Sequence, residues 1–156
     1  MHLATHGFYL ADDGAASDPM WRAGVTLAGS NAATPTDRAS DDGMLYAAEL
    51  IDWPLGSAEL VTLSACETAQ GGRSTIEGLR GLPSALAAAG AKRSLLALWP
   101  VDDAGAAAFM ARFYETLATG ATYEAAFRAT KRAAIAGEIP EAKSPSLWLA
   151  FVLIGN

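Results

Sequence analysis

Leu60-Val61-Thr62-Leu63-Ser64-Ala65-Cys66-Glu67-Thr68-Ala69-Gln70-Gly71-Gly72 is the stretch on which the reading of this chain turns. Leu60 to Leu63 is a short apolar run, and it ends at Ser64, Ala65 and Cys66, the only cysteine. A polar, glycine-bearing segment follows. Short apolar runs bounded by turn residues suit strands of a parallel sheet buried on both faces. A side chain just past the carboxyl end of such a strand lies where open α/β sheets bind ligands. A lone thiol there has two readings. A free cysteine is most often a small buried hydrophobe; at a strand end followed by a polar loop it can instead serve as a nucleophile.

The amino end weighs between them. Met1 to Gly7 reads Met-His-Leu-Ala-Thr-His-Gly, a second short strand that ends at His6. A thiol attacks as a thiolate, and a neighbouring imidazole is a common way to form one. His6 and Cys66 can meet if their strands are neighbours. A His about 50 residues before the Cys is the caspase spacing, although the local caspase cysteine signature is absent here.

Working outward, strands alternate with helices. Phe8 to Leu10 reads as an ordered turn. Ala11 to Gly43 is mostly loop, with Asp12, Asp13, Asp18, Asp37, Asp41 and Asp42 set against Arg22 and Arg38. Within it, Trp21 to Ala28 has the alternation of a short strand or hairpin arm. Starting directly after His6, this loop is either a solvated insertion or a cover for substrate. Asp42 suits the cap of a helix from Met44 to Ile51. Ile76 to Ala89 reads as a helix, with Pro83 as the point where regular helix begins. Arg93 to Trp99 is a strand, and Asp102 or Asp103 caps a helix from Ala104 to Ala118. Phe109, Met110, Phe113, Tyr114 and Leu117 in that helix are spaced as core. Thr122 caps a helix from Tyr123 to Ala136, Glu138 to Ser146 is loop, and Leu147 to Ile154 is the last strand. Such alternation predicts βαβ units around a mostly parallel sheet.

Bulk properties narrow the function. With 156 residues, 51 % apolar and 18 % charged, the chain has the composition of one globular domain. A net charge of −6 argues against nucleic acid or an anionic membrane as partner. A single cysteine fits a reducing, cytoplasmic compartment, and no signal-peptide pattern or tetratricopeptide repeat is visible. One Cys and two His make no zinc set. Neither a hydrolase elbow nor a phosphate loop is present. No cofactor or metal is expected.

Several motifs stand in order: Thr5-His6-Gly7, Leu63-Ser64-Ala65-Cys66-Glu67-Thr68, Leu79-Arg80-Gly81-Leu82, Ala88-Ala89-Gly90-Ala91-Lys92, Leu98-Trp99-Pro100-Val101-Asp102-Asp103 and Trp148 to Gly155. Together they resemble the CHAT domain, a caspase-like cysteine peptidase domain often found beside tetratricopeptide repeats. The resemblance covers residues 1–156 and implies a caspase-like three-layer α/β/α sandwich. Family domains carry further strands before the Thr-His-Gly strand, so it also implies an amino-terminally incomplete domain with an exposed edge at Met1–Thr5.

The activity implied is a cysteine endopeptidase acting on protein or peptide substrates in a regulated bacterial signalling or defence setting. Partners are then substrate and tetratricopeptide-repeat regions or regulators outside the chain. Cys66 is the implied nucleophile, and His6 the general base and then acid. Backbone N–H groups of Gly7 and Cys66 are the oxyanion donors. A backbone carbonyl is left to orient His6, Glu67 is expected to point away, and His2 is structural. Ser64 shares a strand face with Cys66 by the period of two. Asp102 and Asp103 come after the next strand. One can cap a helix while the other, Asp103 by preference, selects Lys or Arg before the cleaved bond. The alternative is a non-catalytic protein-interaction module that keeps the fold.

Overall fold

The computed structural model describes residues 1–10, 18–32, 42–65 and 75–155. They divide into two compact units, Met1–Pro100 with Ile154–Asn156, and Val101–Leu153. In chain order the first unit holds β1 (His2–Thr5), β2 (Gly7–Tyr9), β3 (Ala23–Thr26), β4 (Met44–Tyr46), α1 (Ala47–Leu50), β5 (Val61–Ala65), α2 (Thr75–Ala88) and β6 (Arg93–Ala97). In the second lie α3 (Asp103–Ala118), α4 (Tyr123–Ile135) and α5 (Pro145–Trp148). Last comes β7 (Phe151–Gly155), which begins in the second unit and ends in the first.

The main sheet has the order β1-β5-β6-β7. β5 pairs parallel with β1 on one side and with β6 on the other. The architecture is therefore mixed α/β with a mostly parallel sheet, as the caspase-like expectation requires. Val61, Thr62 and Leu63 are all buried, so both faces of β5 are covered. That is why its sequence is a continuous apolar run rather than an alternation. At β1 the pattern alternates between exposed and half-buried residues, and β1 closes one end of the sheet order.

A second sheet, β2-β3-β4, is antiparallel. It lies in sequence read above as turn, as loop with a short strand or hairpin arm, and as the start of a helix. The alternation at Trp21 to Ala28 marks β3, whose Ala23, Gly24 and Val25 are buried. Phe8 is not an extension of a turn; it sits in β2, paired with Gly24. The helix expected from Met44 is also corrected. Asp42 accepts from the Met44 N–H at 2.7 Å, and this turn opens a strand rather than a helix. Only after Tyr46 does α1 begin, where the Tyr46 N–H donates to Glu49 Oε2 at 2.8 Å. Leu45 and Tyr46 are buried in β4, and tertiary burial overrides the helical spacing of Tyr46, Leu50 and Ile51.

Helix α2 does not start at Pro83 but runs through it. The missing N–H and ring clash ordinarily cost about 3 kcal/mol. Buried Leu82, Ala85, Leu86 and Ala89 offset that cost from both sides of the proline. Gly81 brings the helix onto its neighbours: a Cβ there would meet the Ala23 Cβ at 3.2 Å and the Ala47 Cβ at 3.8 Å. The α2 end closes with Gly90 at φ +95°, and the Ala91 N–H returns to the Leu86 carbonyl at 3.0 Å.

The second unit has its own core. Phe109 stacks on Phe151 with ring centres 4.7 Å apart and meets Phe127 edge-on at 6.3 Å. Phe113 meets Phe127 edge-on at 6.4 Å. Thr122 caps α4, accepting from the Ala125 N–H at 3.2 Å. The last strand starts later than expected. Ser144 and Pro145 begin a helical turn, because proline at a first helical position is already set for it. Short apolar runs such as Leu147 to Ile154 do not by themselves separate helix from strand.

At the start of α3 the Asp102 carboxylate accepts from the Gly105 N–H at 2.8 Å. Replacing Asp102 with Ala is expected to lower stability by about 1 kcal/mol, and Asp103→Asn by less than about 0.5 kcal/mol. Gly105 itself faces α5: a Cβ would overlap Leu147 Cδ1 and lie 2.8 Å from the Glu141 carbonyl oxygen. Gly105→Ala is expected to cost about 1–3 kcal/mol, while Gly56→Ala, with nothing near the added carbon, is tolerated. Urea unfolding of the four variants checks the order.

Candidate active site at the carboxyl end of β1

The polypeptide changes sheets at a single residue. β1 ends at Thr5 in the main sheet and β2 begins at Gly7 in the small one, leaving only His6 between them. His6 is exposed. On the adjacent parallel strand, the register pairs Ala4 with Ser64 and Thr5 with Ala65. His6 and Cys66 are thus the next residues in sequence after the last paired positions of neighbouring strands. Cys66, Glu67 and the segment to residue 74 lie outside the described residues, as does much of the aspartate-rich stretch.

His6 is held through its backbone. Its carbonyl accepts from the Thr26 N–H at 2.8 Å and from the Thr26 hydroxyl at 3.2 Å. The Thr5 hydroxyl in turn donates to the Thr26 carbonyl at 2.5 Å. Thr26 is the last residue of β3, so one residue, through its carbonyl and its hydroxyl, is bonded both to the residue before His6 and to His6 itself. Neither threonine was singled out as functional by the sequence. Thr26 lies twenty residues from His6 in a stretch whose only signal was a short alternation.

Gly7 follows from the same register. Gly7 is opposite Val25, and the flanking bonds are Thr26 N–H to His6 carbonyl and Leu10 N–H to Arg22 carbonyl at 2.7 Å. In an antiparallel ladder those bonds bracket non-hydrogen-bonded pairs, so the Gly7 N–H is turned away from β3. Since β2 ends the order of its sheet, no strand of that sheet takes the N–H of Gly7, which is buried.

The small sheet that binds His6 is packed with aromatic rings. The Phe8 ring lies against Gly24, where an added Cβ would sit 2.5 Å from it. Phe8 meets Tyr46 edge-on at 5.2 Å, and Trp21 lies 5.8 Å from Tyr46. Arg22, read in the sequence as a loop charge, is buried; its Nε donates to the Leu10 carbonyl at 3.0 Å and its guanidinium covers the Tyr9 ring.

Of the remaining expected site residues, Ser64 is half-buried near the end of β5. Asp102 is the α3 cap described above, which leaves Asp103, exposed in the first turn, as the aspartate not used for capping. Partial burial and the Met1 ammonium hold His2 below the usual histidine range. Among the described residues no cluster of three His, Cys, Asp or Glu is arranged to hold a metal. No described helix is long and apolar enough to cross a membrane.

Known proteins give this arrangement a context. Over 113 residues, 72 % of this chain, it is 38 % identical to tetratricopeptide repeat protein 28 of Mus musculus. Over the same length it is 32 % identical to tetratricopeptide repeat protein 28 of Homo sapiens. The matched region spans 4 % of each of those proteins. Relatives named for tetratricopeptide repeats agree with the association that the motifs implied. The CHAT domain family matches residues 1–156, from the Thr-His-Gly strand through the last strand, and the chain belongs to that caspase-like family.

Proposed function

We propose that the chain is a cysteine endopeptidase domain that hydrolyses peptide bonds through a His6–Cys66 dyad. The observation that supports this reading is the parallel register of Thr5 with Ala65. Each is followed in sequence by one member of the pair, on neighbouring strands that run the same way.

In this reading His6 takes the thiol proton and the Cys66 thiolate attacks the scissile carbonyl carbon. A tetrahedral oxyanion forms, and the N–H groups of Gly7 and Cys66 stabilise it; the Gly7 N–H, turned away from β3, suits that role. His6 then gives its proton to the leaving amine as the C–N bond breaks, leaving a thioester on Cys66. Water, deprotonated by His6, attacks the thioester, releases the carboxylic acid and restores the thiol. No metal or cofactor is needed for these steps. The reading places the domain in a reducing, cytoplasmic compartment, regulated by tetratricopeptide-repeat regions outside the chain. Ser64 leaves room beside the nucleophile, and Asp103 confers a preference for Lys or Arg before the cleaved bond.

Cleavage of a quenched peptide library tests both parts. His6→Ala and Cys66→Ala are each expected to lower kcat/KM by about a hundredfold or more. Asp103→Asn is expected to weaken the basic preference, with total cleavage of neutral peptides maintained. Cleavage that survives either dyad substitution would refute the dyad mechanism, and no cleavage by the folded parent chain would favour a non-catalytic interaction module. Preference for acidic residues would reject the role given to Asp103.

A further inference from the structure

His6 stands where one sheet is exchanged for another, and the ladder of neither sheet fixes it alone. β1 is paired with β5 up to Thr5, and β2 is paired with β3 from Gly7 onward. Rotation about the backbone of the intervening residue would swing the imidazole without breaking a ladder bond within the main sheet. What opposes that rotation is Thr26. Its N–H at 2.8 Å and its hydroxyl at 3.2 Å both donate to the His6 carbonyl. Its own carbonyl accepts the Thr5 hydroxyl at 2.5 Å. Both flanks of the His6 α-carbon are therefore tied to one residue of the small sheet.

The residue type matters. Valine at this position would keep the branch and the backbone N–H bond but remove the hydroxyl donor. Serine would keep the donor and lose only a methyl group. The aromatic packing of Phe8, Tyr46 and Trp21 anchors the small sheet that carries Thr26.

We propose that Thr26 is a positioning residue for His6: it fixes the direction of the imidazole, and Thr5 completes the clamp. This rests on the dyad reading, and it adds that a residue of the second sheet sets how well the His–Cys pair forms.

The test is the pH profile of Cys66 alkylation by iodoacetamide in the whole chain, with the alkylated residue identified by mass spectrometry. A thiol paired with an imidazole reacts well below the range of an ordinary thiol, near pH 8.5. Four substitutions are compared with the parent chain: His6→Ala, Thr26→Val, Thr26→Ser and Thr5→Val. His6→Ala is expected to abolish the low-pH reactivity. Thr26→Val is expected to lower it about three- to tenfold, the worth of one neutral hydrogen bond, with the high-pH rate unchanged. Thr26→Ser is expected to stay within about twofold of the parent chain, and Thr5→Val to show a smaller loss of the same form. Thermal unfolding followed by circular dichroism identifies any variant that is not folded; should Thr26→Val be one, Thr5→Val carries the decision. If His6→Ala reduces the low-pH rate while the folded Thr26→Val and Thr5→Val keep the parent profile, the positioning role is wrong and the dyad stands. A Thr26→Ser loss as large as that of Thr26→Val also overturns the role assigned to the hydroxyl. If His6→Ala leaves the profile unchanged, the dyad reading fails and the positioning role fails with it.

Discussion

Parallel pairing of β1 with β5 is the constraint on which the account depends. β5 is covered on both faces, with Val61, Thr62 and Leu63 all buried, so its register is strongly set. A slip of one residue would turn its apolar side chains to the wrong faces. β1 inherits that register through the pairs from His2–Thr62 to Thr5–Ala65. Two chemically capable residues, sixty positions apart in the chain, thereby follow the ends of adjacent strands. Parallel strands require a crossover connection between them. Here the long connection from β1 to β5 includes the small antiparallel sheet, and that sheet returns to bind His6.

The small sheet thus gives a physical role to sequence that reads as loop. Its strands are three or four residues long, too short for a reliable period of two. Their stability comes from burial of Ala23, Val25, Leu45 and Tyr46 and from α2, which closes on β3 at Gly81. The second unit is organised separately around Phe109, Phe113, Phe127 and Phe151. Its first helix uses Asp102 as a cap, a structural task common for an aspartate in that position.

What the sequence made legible follows from signal length. β5, β6, α3 and α4 have buried runs or helical stripes, and Thr122 caps α4 as expected. The helix through Pro83 was hidden because a local rule lost to packing. β4 was hidden because Asp42 forms similar turns before strands and helices. Of the candidate site, His6 was legible as the end of a strand that pairs with β5, whereas Gly7, read as following that strand, begins β2 of the second sheet. Thr26 was not legible, since a contact between residues twenty apart through backbone atoms leaves no residue pattern to read. Cys66, the partner on which the chemistry turns, is named from sequence and family.

The central claim is that His6 and Cys66 come together at the end of these two strands. Dibromoacetone, a short reagent with two alkylating carbons, first captures a reactive thiol and then bridges only to a nucleophile within a few ångströms. Treatment of the folded chain followed by peptide mapping is the most direct measurement. The account predicts a single intramolecular bridge between Cys66 and His6, lost on unfolding before treatment. Capture at Cys66 with no bridge to His6, or a bridge to a different residue, would contradict it.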